Sequence, residues 1–134
     1  MNMDDVKDKP KEYWKKKLTS DQYDVCFLGG TEPPFTGKYW NTHEKGTYHC
    51  IACGEPLFSS ENKYDSQTGW PSFDRSIHET NIEYVDDFGF GMHRTEVRCK
   101  NCGAHLGHVF DDGPKKTTGK RYCINSAALD FNAK

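Results

Sequence analysis

The sequence predicts a mainly β fold, with short helices at its N-terminus and a metal-stabilised core. Three observations lead there. From about Thr36 onward, β-type residues recur in a background rich in Gly, Asp, Asn and Ser. Helix signals are confined to the stretch before Gly29-Gly30. Four of the 6 cysteines form two C-x-x-C-G segments.

Residues 1–9 are charged and read as a flexible tail. Pro10 suits a first helical position, and Tyr13, Trp14 and Leu18 follow as an apolar stripe at helical spacing. Thr19 with Gln22 fits a capping box for a second helix through about Val25. Gly29-Gly30 stops it, and Pro33-Pro34 forces an extended connection. Tyr39, Trp40, Tyr48, Ile51, Phe58, Phe73, Ile82 and Tyr84 then mark short strands. The clearest strand is 92–100. There His93, Thr95, Val97 and Cys99 alternate with Arg94, Glu96, Arg98 and Lys100, which predicts a charged outer face. A last strand is expected over 120–131.

A chain of 134 residues reads as one domain, 1–134. Hydrophobic content is 34% and mean hydropathy −0.91, so the core is thin and a structural metal would help to hold it. Basic and acidic residues number 18 and 20, for a net charge of −2. That balance argues against a nucleic-acid partner. Lys15-Lys16-Lys17 reads as a solvated helix face. No apolar run approaches the ~20 residues of a membrane helix. No apolar signal-peptide region follows the N-terminus, so a cytoplasmic location is expected. In a reducing cytosol, paired cysteines bind metal or do redox work more often than they form disulfides.

Cys50-Ile51-Ala52-Cys53-Gly54 and Cys99-Lys100-Asn101-Cys102-Gly103 share one pattern. Two intervening residues let a tight turn aim both sulfurs at one ion, and the glycine tolerates positive φ where the turn closes. Two such turns build a four-thiolate tetrahedron of the structural zinc type. The alternative is that one pair is a redox dithiol, but two matched pairs favour one shared ion.

Cys123 stands apart, between Arg121 and Asn125. On a strand these three share one face, while Tyr122 and Ile124 point to the core. A guanidinium beside the thiol would lower its pKa from about 8.5. Asn125 could orient a bound polar group. Taken alone, a single cysteine is more often a small buried hydrophobe than a nucleophile. His105 and His108 change that balance. Their odd spacing puts them on opposite faces of a regular strand, and a bulge at Gly107 would bring them together. Near a free thiol they are natural proton donors; they could also ligate a second metal, though no third ligand is clearly spaced for it. Trp70, between Gly69 and Pro71, is either core or the wall of a cavity.

Together these segments resemble the methionine-R-sulfoxide reductase family of the B type. The matching stretches are Gly30–Gly37, both C-x-x-C pairs, Lys63–Ser66 through Gly69–Phe73, His105–Phe110, Asp112–Pro114 and Arg121–Leu129, in family order. The resemblance implies two antiparallel sheets in a barrel-like, zinc-stabilised fold, with one structural zinc on Cys50, Cys53, Cys99 and Cys102. It implies that Cys123 is the nucleophile, and that His105, His108, Arg121 and Asn125 are polar active-site residues. Trp70 matches the wall that receives the substrate methyl group, Phe110 is a second substrate contact, and Asp112 orients Arg121.

The implied reaction reduces methionine R-sulfoxide in proteins or peptides. The sulfoxide oxygen takes a proton relayed through His105 and His108, the Cys123 thiolate attacks sulfur, and a sulfenic acid forms. The S epimer exchanges the methyl and oxygen directions and is rejected. Thioredoxin or another thiol reductant is the implied partner, acting on a monomer.

One family feature is absent. Thr68 holds the usual position of a resolving cysteine, so Cys26 becomes the candidate resolving thiol, with direct reduction by an external thiol as the alternative. The competing functional class is a zinc-stabilised β binding module without turnover. A binder would not need Arg121, Cys123, Asn125 and both histidines together.

Overall fold

The structure is a computed structural model that describes residues 9–133. All but the last residue of the expected tail, 1–9, lies outside the described residues. Helix α1 spans Lys11–Lys17 and α2 spans Ser20–Leu28. Pro10 caps α1 from an extended conformation (ψ 159°) rather than entering it. The expected capping box is present: Gln22 N–H donates to Thr19 Oγ1 at 3.2 Å, and Thr19 N–H donates to the Gln22 side chain at 2.9 Å. Trp14 turns inward and stacks on Phe27 at 4.9 Å, fastening α1 to α2.

The strands run β1 Gly46–Cys50, β2 Pro56–Ser59, β3 Lys63–Tyr64, β4 Ser72–Phe73, β5 Ile82–Asp87, β6 Arg94–Cys99, β7 His105–Phe110, β8 Arg121–Ile124 and β9 Leu129–Ala133. Among the described residues they form two antiparallel sheets, in the orders β2-β1-β9 and β3-β4-β8-β7-β6-β5. The two-sheet expectation holds, but the sheets do not close into a barrel. β3 and β5 remain as separate outer strands, because the chain after β8 crosses to the smaller sheet.

That crossing corrects the expected strand 120–131. It is two strands separated by a 3-10 turn at Ser126–Ala128. Tyr122 and Ile124 do enter the core, as the alternation predicts. Tyr39 and Trp40 lie in a turn segment rather than a strand, although Tyr39 still packs edge-on against Tyr48.

Aromatic rings join the two sheets. Phe58 of the smaller sheet stacks on Phe73 of the larger at 4.5 Å, and Tyr48 meets Phe73 at 5.2 Å. Phe58 also reaches Tyr122 at 5.8 Å, directly beneath the strand that carries Cys123. These rings are fully buried, and such pairs contribute about 0.5–1.5 kcal/mol each beyond their buried area.

The strand expected at 92–100 is β6. Of its expected inward face, Val97 and Cys99 are buried and Thr95 is half-buried, but His93 lies before the strand and is exposed. Its charged face meets solvent only at one end, where Lys100 is exposed and the Arg98 side chain is 41% exposed; the side chain of Arg94 is 27% exposed and that of Glu96 only 12%. Both are engaged by residues of neighbouring strands. Among the described residues no helix is long and apolar enough to cross a membrane.

Candidate active site and metal centre

The two C-x-x-C-G turns are nearly identical in build. Gly54 N–H donates to Cys50 C=O at 2.8 Å and Gly103 N–H to Cys99 C=O at 2.7 Å, with φ of 85° and 82° at the two glycines. One turn follows β1 and the other follows β6, so the cluster pins the smaller sheet to the larger. The four sulfurs lie within 4.8 Å of one another, with Cys50–Cys102 at 3.7 Å and Cys53–Cys99 at 3.6 Å. Zn–S bonds of about 2.3 Å in a tetrahedron require sulfurs about 3.8 Å apart. The donor set therefore fits one zinc ion, closed on all four sides.

Cys123 sits on β8 opposite His108 of β7, and Arg121 sits opposite Phe110. These residues line a cavity of about 250 Å³ together with Trp70, Asn125 and Thr68. A larger cavity of about 510 Å³ lies beside α2 and holds none of the predicted site residues.

The bulge expected at Gly107 is present in β7 one residue earlier, at Leu106. Val97 pairs with Gly107 and Arg98 with His105, which leaves Leu106 as the extra residue. The bulge undoes the odd spacing, and the two imidazoles meet edge to face at 5.5 Å. Gly107 is required for a second reason. A Cβ there would collide with the Cys123 carbonyl, so only glycine lets β7 approach β8 this closely.

The histidines have different partners. His108 lines the cavity, and its Nε2 lies 2.8 Å from Asp87 Oδ2. Asp87 also accepts from Gly89 N–H at 2.9 Å and from Arg94 at 3.0 Å. The Gly89 and His108 hydrogen bonds hold its carboxyl down at about 2. With Nε2–H given to Asp87, only Nδ1 of His108 is left for the cavity.

His105 is buried behind His108 and does not line the cavity. Its Nδ1 is 2.6 Å from Glu96 Oε2. Burial pushes the imidazole down, against the pull of Glu96. Burial also works against the Glu96 carboxylate, but hydrogen bonds from Arg98 and His105 outweigh it and keep that carboxyl below its ordinary value.

Arg121 donates twice to Asp112, at 2.8 and 3.2 Å, and its guanidinium lies 4.4 Å from the Phe110 ring centroid. This pairing has a consequence for Cys123. Burial pushes the Cys123 thiol above its ordinary value, and the opposing pull of Arg121 does not overcome it. The guanidinium expected to lower the thiol pKa already faces a carboxylate.

Asn125 follows β8 and borders the cavity, with its amide largely taken by the fold. Its Oδ1 accepts from Glu32 N–H and its Nδ2 donates to Leu106 C=O, both at 3.1 Å. Trp70 is fixed in the same way, its indole N–H donating to Glu32 C=O at 2.9 Å. Cys26 is 2% exposed on α2, and it does not line the cavity of Cys123. Burial, with the nearby Cys99 and Cys53 sulfurs, pushes its thiol up to about 12.

Residues 18–133 match the SelR domain family. The chain belongs to the SelR-domain family. It is 53% identical over 124 residues to a peptide methionine sulfoxide reductase MsrB of Chromohalobacter salexigens, covering 92% of this chain and 93% of that protein. Identity to the MsrB of Pseudomonas aeruginosa is 54% over 122 residues, 91% of this chain and 92% of the other. For that of Acinetobacter baylyi it is 55% over 123 residues, 92% and 88%.

The SelR-domain match spans both the four-cysteine cluster and the Cys123 cavity. Sequence reasoning missed the residues that support this SelR site: Asp87, Arg94, Glu96 and Glu32. Arg94 and Glu96 read as an outward charged face, because nothing local shows that Asp87 and His105 stand on neighbouring strands.

Proposed function

We infer that this chain reduces methionine R-sulfoxide in peptides and proteins to methionine. The observation that carries this is a free thiol, Cys123, in a small cavity whose other walls are an indole, an imidazole and a guanidinium. The membership in a family with relatives named peptide methionine sulfoxide reductase supports the same reading.

The sulfoxide methyl packs on Trp70, which its hydrogen bond to Glu32 holds in place. Phe110, stacked under Arg121, forms a second apolar contact. Asp112 holds Arg121 in orientation from the other side. His108 Nδ1 faces the sulfoxide oxygen and donates to it as imidazolium, while Asp87 holds the other nitrogen. His105 packs behind and fixes the His108 ring. Cys123 attacks the sulfoxide sulfur as thiolate, and the oxygen passes to cysteine. The S–O bond of the sulfoxide breaks, its sulfur gains two electrons, and methionine leaves. Cys123 becomes a sulfenic acid. Zinc on Cys50, Cys53, Cys99 and Cys102 stabilises the fold.

An external thiol completes the cycle. One thiolate attacks the sulfenic acid and releases water, and a second thiol resolves the mixed disulfide. Cys26 is enclosed by core on α2, and reaching Cys123 would require that helix to unpack. The working form we propose is a monomer in a reducing cytosol, recycled by thioredoxin or another dithiol.

The test is methionine release from each sulfoxide epimer in a peptide, with dithiothreitol, for wild type and Cys123→Ser. Turnover of the R epimer alone, lost in the variant, is expected. No turnover of either epimer by folded, zinc-loaded protein overturns the reading in favour of a binding module. Mass spectrometry after one turnover without reductant is expected to find the sulfenic acid on Cys123; a Cys26–Cys123 disulfide would overturn the recycling scheme.

A further inference from the structure

Thr68 stands where a resolving thiol would otherwise be, and it lines the same cavity as Cys123. It is not alone. Thr68 Oγ1 lies 2.8 Å from Ser66 Oγ, and Ser66 Oγ lies 2.6 Å from Ser72 Oγ. Ser72 donates to Trp70 C=O at 3.2 Å and pairs with Cys123 across β4 and β8. Three hydroxyls thus run in series from the wall of the Cys123 cavity to a backbone carbonyl.

Proton counting shows that the series has two consistent directions. Each hydroxyl has one proton to donate and two lone pairs to accept with. With Ser72 donating to Trp70 C=O, Ser66 must donate to Ser72, and Thr68 must donate to Ser66. Thr68 Oγ1 is then an acceptor toward Cys123, which suits a thiol S–H. When the sulfur carries charge, all three hydroxyls reverse. Thr68 donates to sulfur, Ser66 to Thr68, and Ser72 to Ser66. Ser66 keeps an additional contact from Thr68 N–H at 3.4 Å in either direction. The reversal needs hydroxyl rotation and no movement of heavy atoms.

We propose that Thr68, Ser66 and Ser72 form a reversible hydroxyl chain that donates a hydrogen bond to Cys123 whenever its sulfur is charged. The arrangement has a use at this site. Burial disfavours the thiolate and Arg121, shared with Asp112, does not overcome it, so a neutral donor adds to the pull of the cation. A hydrogen bond from the Thr68 hydroxyl lowers the Cys123 thiol against that burial. Thr68 is in this sense a positioning residue for the nucleophile, and Ser66 and Ser72 act through it.

The inference rests on Cys123 being the nucleophile, but its test does not need sulfoxide turnover. Iodoacetamide modification of zinc-loaded protein is followed against pH by mass spectrometry of the Cys123 peptide, which separates Cys123 from Cys26. Thr68→Val keeps the shape and removes the hydroxyl. It is expected to raise the midpoint by about one pH unit, so that modification at neutral pH slows about tenfold. Thr68→Ser is expected to restore the wild-type profile, and Ser66→Ala to shift it in the same direction by a smaller amount. A Thr68→Val profile that overlies wild type overturns the proposal, and so does a Ser66→Ala profile that overlies it. If the reductase reading itself fails, epimer turnover is absent while these profiles still differ, so the two failures are distinct.

Discussion

His108 and Asp87 are joined by a 2.8 Å hydrogen bond between the ring Nε2 and a carboxylate oxygen, across strands 21 residues apart in sequence. The bond leaves one imidazole nitrogen for the cavity, and it can donate only in the imidazolium form. Removal of the ring in His108→Ala is expected to lower R-sulfoxide turnover by about 100-fold or more, the usual scale of a lost general acid. Asp87→Asn keeps the size and loses the charge, so a smaller fall is expected. Steady-state kinetics on a peptide sulfoxide checks both, and equal effects on kcat and kcat/KM would mark a transition-state role.

The Cys123 thiol lies above its ordinary value because burial outweighs Arg121 and Thr68. The thiolate is the reactive form, so its fraction grows with pH. The midpoint for modification of Cys123 by iodoacetamide should therefore lie above about pH 8.5, the midpoint of a free thiol. The sign for stability is opposite. The folded state holds this proton more tightly than the unfolded state, so this group removes stability as pH climbs above the unfolded value. A modification profile that levels off below about pH 8 would contradict the assignment.

Gly107 separates β7 from the Cys123 carbonyl by less than a side chain. Gly107→Ala must push the two strands apart, at about 1–3 kcal/mol for an overpacked contact. The displacement falls on Cys123, and a shift near 1 Å in a reacting group can lower rate about 100-fold. Urea unfolding and peptide turnover, measured on the same preparation, test whether activity falls further than stability does.

The four-cysteine cluster connects β1 of the smaller sheet to β6 of the larger. Apparent zinc affinities of about 10–16 kcal/mol rival the about 5–15 kcal/mol net stability of a whole domain. Chelation, or Cys50→Ser, is expected to unfold the chain rather than to leave a folded, inactive one. Circular dichroism with metal analysis decides this; a folded, zinc-free protein would refute it.

Phe58 is fully buried and stacks on Phe73 at 4.5 Å between the sheets. Phe58→Ala is expected to cost about 3–5 kcal/mol. Denaturant unfolding measures it, and a loss under about 1 kcal/mol would mean that the sheets are not held together by this stack.

Features with short sequence range are legible in the residues alone. The Thr19–Gln22 capping box, the stop at Gly29-Gly30 and the paired C-x-x-C-G turns each depend on residues within one turn of each other. The bulge near Gly107 is legible too, because the odd spacing of His105 and His108 demands one if they share a site. The charged face of β6 is the opposite case. Alternating charge looks the same whether water or another strand faces it, and the partners of Arg94 and Glu96 come from β5 and β7.

The sequence by itself determined which side chains could do chemistry: a free thiol beside an arginine, two histidines, a tryptophan and four thiolates spaced for one ion. Those choices are local and depend on residue type and period. Tertiary structure alone decided how strongly each one acts. It matched Arg121 to Asp112, engaged the amide of Asn125 with the backbone of Glu32 and Leu106, and enclosed Cys26 in the core. It also set a line of three hydroxyls behind Cys123. Burial and pairing fix the energy of a charge, and both are properties of what folds up against a residue rather than of the residue itself.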